Sequence, residues 1–315
     1  MKNNTPLVTV VAIVFNHDKF LHTFFDSLVN QKCNFDYEIL VHDDASTDNS
    51  VNIINEYAAK YPSLFRLILQ KENQYSKDIP ILPKHIFPEC RGKYIALCEG
   101  DDYWTDENKL QSQFDIMEAN PQYSCATHQT EVIYEDGSPS HVFKKLSKTE
   151  LDIKDMMHKR YFHTASIFFK SEYIPDLCTM PMVTSEDRAI FLYFAIRGFI
   201  YYDPKSMCVY RKNNGGVSTW VSTAMMEKDF IFIDWLKKYA IKYHQAFPAR
   251  KYRLFMHKCV IQYSFDLTTQ KLVHHTLKSM VLSLGTFPPI TNCIKAIARG
   301  IKYYFIMKKQ KTTSK

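Results

Sequence analysis

Glu99, Gly100, Asp101, Asp102, Tyr103 and Trp104 follow directly on an apolar stretch, Tyr94 to Cys98. A buried strand that ends in glycine and two adjacent carboxylates puts negative charge at the carboxyl edge of a sheet, where open α/β folds bind ligands. Neighbouring side chains of a regular strand point to opposite faces. Asp101 and Asp102 therefore share a ligand only if the backbone turns between them, and Gly100 is expected to supply the turn. One carboxylate can then accept hydrogen bonds from a ligand hydroxyl while the other binds Mg2+ or Mn2+, ions held by one or two carboxylates together with substrate phosphates. The site would suit a nucleotide diphosphate. An isolated Asp-Asp reads first as a solvated turn that caps the helix expected from Asn108.

A second acidic strand end shifts that balance. Tyr37 to His42 has the pattern of a short strand, and Asp43, Asp44, Ala45, Ser46, Thr47 and Asp48 follow before a helical pattern through Val51, Ile54 and Ala58. Ser46, Thr47 or Asp48 is expected to cap that helix, which leaves Asp43 and Asp44 without a capping role. Upstream, Leu7 to Val14 is a near-continuous apolar run ending in Phe15, Asn16 and His17, and Leu21 to Gln31 is the next helix. Three strand ends thus contribute Phe15 with Asn16, Asp43 with Asp44, and Asp101 with Asp102. Strands alternating with helices imply a parallel sheet with these ends along one edge.

Together these stretches resemble glycosyltransferase family 2, the inverting transferases of the A-type fold. The resemblance rests on Val8 to Gln31, Tyr37 to Asn49, Gly92 to Trp104 and Ser185 to Arg188, and covers roughly residues 5 to 220. It implies an α/β fold with a Rossmann-like, mostly parallel sheet flanked by helices, followed by a C-terminal helical extension. It also implies that Phe15, Asn16 and Asp44 lie along the base of a nucleotide, usually uridine. Asp101 is matched to the residue facing the ribose and Asp102 to the residue holding the metal. Inversion needs a base for the acceptor hydroxyl, and the resemblance gives that role to Asp187, in the acidic doublet Glu186-Asp187 at a helix start. Glu186 by itself is an ordinary helix-dipole partner. Trp104, His163 and Glu186 are assigned to the acceptor side by the same resemblance, although for His163 a core or strand-end role is the safer reading. Two departures stand out: Asn213 and Asn214 occupy a place where the family often has His before a Gly pair, and Val14 replaces a small hydroxyl residue.

A chain of 315 residues, 46% hydrophobic, is long enough for one full domain with an appendage. The expected division is a catalytic domain over 1–222 and a basic helical region over 223–315. Net charge is +7, but residues 241 to 315 carry +13 and the preceding part −6. The tail has helical patterns at Phe230 to Tyr243, Lys251 to Leu267, Leu272 to Leu284 and Ile294 to Met307. In the last of these, Ile294, Ile297, Ile301, Tyr304 and Phe305 keep helical spacing among lysines, as in a helix lying on an anionic membrane surface or one packed on its own domain. No apolar run reaches the roughly 18 to 20 residues that span a bilayer, and Met1 to Thr5 is polar. The expected location is cytoplasmic, with peripheral attachment to the inner face of the cell membrane through the tail. Eight scattered cysteines without paired spacing read as buried thiols.

The expected activity is transfer of a sugar from a nucleotide-sugar donor, UDP-linked, to a glycan or lipid-linked acceptor in surface polysaccharide or glycolipid synthesis. Nucleic acid is not among the expected partners. With 8 glycines and no fingerprint after the first strand, nicotinamide dehydrogenase and P-loop kinase readings fail. A sugar nucleotidyltransferase would need a Gly-rich basic loop where Phe15-Asn16-His17 stands. A non-catalytic scaffold would have less reason to keep Asp44, Asp101, Asp102 and Asp187 together.

Overall fold

A computed structural model describes residues 5–212, 221–264 and 266–283, with residue 298. The apolar runs become β1 (Val8–Val14), β2 (Tyr37–Asp43), β3 (Phe65–Leu69) and β4 (Tyr94–Glu99), with α1 (Leu21–Val29) and α2 (Ser50–Lys60) between the first three. After them come β5 (Tyr103–Trp104), α3 (Lys109–Ala119), β6 (Tyr123–Tyr134), β7 (His141–Val142), β8 (Glu150–Leu151), α4 (Ile153–Met156), β9 (Phe168–Lys170) and α5 (Ile174–Leu177). The remaining elements are α6 (Glu186–Arg197), β10 (Phe199–Lys212), α7 (Thr223–Lys228), α8 (Ile231–Lys242), α9 (Ala249–Tyr263) and α10 (Thr269–Ser283).

The sheet runs β3-β2-β1-β4-β9-β6-β10-β5. β3, β2, β1 and β4 are mutually parallel, so the ends of β1, β2 and β4 open on one edge. β9 runs antiparallel to both β4 and β6, which makes the second half mixed. Alternate β1 residues Val8, Val10, Ala12 and Val14 share one buried cluster with Phe24, Phe25 and Leu28 of α1 and Ile53 and Ile54 of α2. This is the period-2 face of a strand meeting the apolar stripe of helices. Each of these fully buried phenylalanines and leucines contributes on the order of 2 kcal/mol through area removed from water.

The chain divides into two compact units, 1–182 with 190–213, and 183–189 with 214–315. Residues 183–189, which carry the Glu186-Asp187 doublet, thus group with the helical region, and the expected domain boundary at 222 differs from this division at 213. In the second unit, Phe232, Ile233 and Leu236 of α8 and Tyr252, Met256 and Val260 of α9 are buried. α10 is inverted relative to its apolar pattern, burying His275, Ser279 and Ser283 while Val273, Leu277 and Val281 are exposed. The expected helix at Ile294 to Met307 and the Asn213-Asn214 loop lie outside the described residues. No helix among the described residues is long and apolar enough to cross a membrane. The seven described cysteines are free thiols, four of them buried.

Candidate active site

The exits of β1 and β2 are stitched together. Asn16, at φ 55°, and Ala45, at φ 63°, both hold the left-handed conformation that side chains disfavour. The Asn16 amide donates to Ser46 Oγ at 2.9 Å, and its side-chain Oδ1 accepts from the Thr47 amide at 2.7 Å. The Asp18 amide donates to Asp48 at 3.0 Å. These cross-bonds fix Phe15, which leaves 42% of its surface exposed. Asp43 accepts from the Ser46 amide at 2.9 Å and from the Ser46 hydroxyl. Asp44 is buried and accepts the Gln74 and Tyr75 amides at 2.8 and 3.0 Å, tying the segment after β3 to the end of β2. Both acids therefore have structural partners that the capping argument did not foresee. The α2 cap differs as well. Asn49 occupies the cap position without a side-chain bond, and Asp48 takes the Ser50 amide at 2.9 Å.

At the exit of β4, Gly100 does form part of a turn, but its φ lies outside the left-handed region. Room is what requires glycine here, because an added Cβ would sit 2.8 Å from His17 Nδ1 and 3.2 Å from Leu21 and Val14 side chains. His17 Nε2 lies 3.9 Å from Asp101 Oδ2. Asp102 is 1% exposed; its Oδ1 accepts the Arg211 amide of β10 at 2.9 Å, and its Oδ2 lies 3.2 Å from His163 Nδ1. Burial, with the nearby charges of Asp101 and Glu99, pushes the Asp102 carboxyl well above the usual carboxylate range. Burial, helped by the positive charge of Arg160, holds the His163 imidazole well below its ordinary value. One ligand atom from each of Glu99, Asp102 and His163 falls within a 4.8 Å cluster. Two carboxylates and a neutral imidazole are donors suited to a divalent cation such as Mg2+ or Mn2+. The buried acid that finds no donor for its second oxygen among the described residues fits such an ion.

His163 thus belongs with the acidic residues. Trp104 supports it from below: its indole is 3% exposed and donates to the Ala165 carbonyl at 3.0 Å. Lys109 Nζ lies 4.0 Å over the Trp104 ring, and burial pushes that fully enclosed amine down to about 8. Residues overlooked in the sequence are Glu99, read there as a strand end, and Arg211, whose guanidinium lies between the Phe20 and Tyr103 rings at 4.9 and 4.8 Å. The Tyr210-Arg211-Lys212 run was the available signal for Arg211.

Glu186 and Asp187 open α6, and both belong to the second unit. Asp187 Oδ1 accepts the Arg188 amide at 2.7 Å. Asp229 takes the Thr184 and Ser185 amides at 2.6 and 3.2 Å and so fixes the approach to the helix. Arg188 Nε donates to the Tyr252 hydroxyl at 2.6 Å. The Glu186 carboxyl is pushed up to about 8, chiefly by burial and then by the charge of Asp187.

An α/β sheet with acidic parallel-strand ends and a C-terminal helical region is the architecture of A-type glycosyltransferases, and solved structures agree. S. aureus TarS 1–349 in complex with UDP-GlcNAc superposes with a TM-score of 0.63 at 14% identity, over 98% of this chain and 92% of that one. A mannosyltransferase from Pyrobaculum calidifontis in complex with GDP-Man and Mn2+ gives 0.53 at 15% identity, over 99% and 89%. The profile of glycosyl transferase family 2 matches residues 9–177, and the chain belongs to that family. An uncharacterized protein of Mycobacterium tuberculosis is 34% identical over 212 residues, 67% of this chain; the chain spans 60% of that relative's length. A putative teichuronic acid biosynthesis glycosyltransferase of Bacillus subtilis is 23% identical over 222 residues, 70% of this chain and 84% of that one.

Proposed function

We propose that this enzyme transfers a sugar, with inversion, from a UDP-linked donor to a hydroxyl of a glycan or lipid-linked acceptor in surface polysaccharide or glycolipid synthesis. The observation that carries the reading is Asp102: a buried carboxylate, one oxygen held by the Arg211 amide, the other in an acidic cluster at the edge of the parallel strands. Asp102 would hold Mg2+ or Mn2+, which when bound neutralises charge on the departing diphosphate. Phe15, Asn16 and Asp44 frame the base, and Asp101 meets the ribose. Asp187 takes the acceptor proton as the hydroxyl oxygen attacks the anomeric carbon. Support for the donor and the ion comes from the UDP-GlcNAc and Mn2+ complexes of the fold relatives, and support for the product from the teichuronic acid relative.

Calorimetry with UDP is the direct test. Affinity should rise on adding Mn2+, and Asp187→Asn should keep that affinity while slowing transfer by about 10²-fold or more. Manganese-independent UDP binding would refute the metal's role, and near-normal turnover in the variant would remove Asp187 from the reaction.

The same reading holds the enzyme in the cytoplasm, at the anionic inner face of the cell membrane through its basic tail, which carries +13 over residues 241 to 315. Deleting residues 290–315 should release the protein from sedimenting membranes. Unchanged sedimentation would refute tail attachment.

A further inference from the structure

We infer that His163 is itself a metal ligand, its Nδ1 and the Oδ2 of Asp102 taking adjoining positions around one divalent ion. The inference rests on the reading that an ion binds at Asp102, and adds a nitrogen donor to a site otherwise built of oxygen. His163 Nδ1 accepts the Ala165 amide at 3.4 Å, so the ring proton resides on Nε2. Asp102 Oδ2 finds no hydrogen-bond donor among the described residues. With Asp102 ionised, as a metal ligand must be, two lone pairs face each other across 3.2 Å in a site with 1% and 6% side-chain exposure. Water does not screen that repulsion, and a positive charge shared between the two atoms relieves it. The separation is right for an ion. Neighbouring donors on an octahedral ion with bonds of about 2.1 Å stand about 3 Å apart. The Ala165 contact is long enough to yield the nitrogen lone pair, and Glu99 lies in the same 4.8 Å cluster as a further oxygen donor.

The imidazole is also held in place, as a ligand must be. Its face stacks on Tyr210 at 4.0 Å and 19°, and Phe143 meets it edge-on at 6.2 Å. The Ser166 hydroxyl and amide both return to the His163 carbonyl, at 2.7 and 3.0 Å. Beneath, Gln113 donates to the Ser166 carbonyl at 2.8 Å and Trp104 to that of Ala165. Imidazole suits transition metals better than it suits Mg2+, so the chain should prefer Mn2+ to Mg2+ because of His163.

Electron spin-echo spectroscopy of the full chain with MnCl2 and UDP tests this without relying on activity. Directly bound nitrogen should modulate the Mn2+ echo, and nitrogen-15 labelling of histidine should change the pattern. In His163→Gln the modulation should vanish, Mn2+ affinity should fall by about 10-fold or more, and the preference over Mg2+ should narrow. Wild-type protein that binds Mn2+ through Asp102 but shows no histidine coupling would overturn the ligand assignment alone. Wild-type protein that binds no Mn2+ even with UDP would overturn both this assignment and the metal-dependent reading beneath it.

Discussion

His163 in the first unit and His257 in the second are both buried imidazoles held uncharged, but they keep opposite company. His163 faces Asp102 and shares its cluster with Glu99, close to Asp101. His257 faces another imidazole: its Nδ1 lies 2.8 Å from His275 Nδ1, and His275 Nε2 lies 3.0 Å from Glu227. Glu227 is already paired with Lys271 at 2.5 Å, and Arg253 with Asp234 at 2.5 Å. Together with His274 and Lys278, these groups border a cavity of about 480 Å³. In the second cluster every carboxylate has its cation, so charge is balanced within the protein. In the first, Glu99 and Asp102 gather with His163, and the Oδ2 of Asp102 finds no hydrogen-bond donor among the described residues, which leaves that atom to a ligand. Burial depresses a histidine in both places, and the surrounding charge decides whether the result is a structural contact or a binding site.

Removing the acid at each cluster is the sharpest way to break this comparison. Asp102→Asn should cost about 10²-fold or more in Mn2+ affinity by calorimetry, since it removes the anionic donor. Glu227→Gln should leave that affinity unchanged. Equal losses in the two variants would show that the clusters are not distinct in kind.

A smaller effect should appear with acid. Burial, with His275 and His274 next in effect, lowers His257 to about 4, and His275 is lowered too. An unfolded chain takes up these protons near pH 6.5, before the folded one does. Stability from this pair is therefore complete above about pH 6.5 and is lost as pH falls toward 4, by an amount on the order of 2–3 kcal/mol. The opening free energy that hydrogen exchange reports in α9 and α10 of the whole protein, corrected for the intrinsic rate, should fall between pH 7 and pH 5. His257→Gln should flatten that dependence, and a pH-independent opening energy in the wild type would refute the account.

Much of the first unit was legible in its sequence because its signals are local. The apolar runs from Leu7, Tyr37 and Tyr94 are strands within a residue or two of their expected ends, and α3 starts at Lys109. Acidic strand ends could be recognised because a carboxylate after a buried strand is costly unless used. What could not be read was pairing across distance. Asp102 with Arg211 is 109 residues apart, and the place of His163 beside Asp102 depends on β9 inserting between β4 and β6. Gly100 takes part in the expected turn, but the second demand on it, room beside the His17 ring, is not legible because nothing local reports that ring against it. α10 forms where helical spacing was expected, but which face it buries was not legible, because its apolar residues keep helical spacing while its polar ones are the buried ones.

The bonds from Asp44 to Gln74 and Tyr75 use peptide N–H groups, which every residue but proline supplies. Residues 74 and 75 are thus free to drift in identity while their position stays anchored. Homologues could differ entirely across this segment, and so in the donor or acceptor they favour, without unseating the sheet edge that holds it.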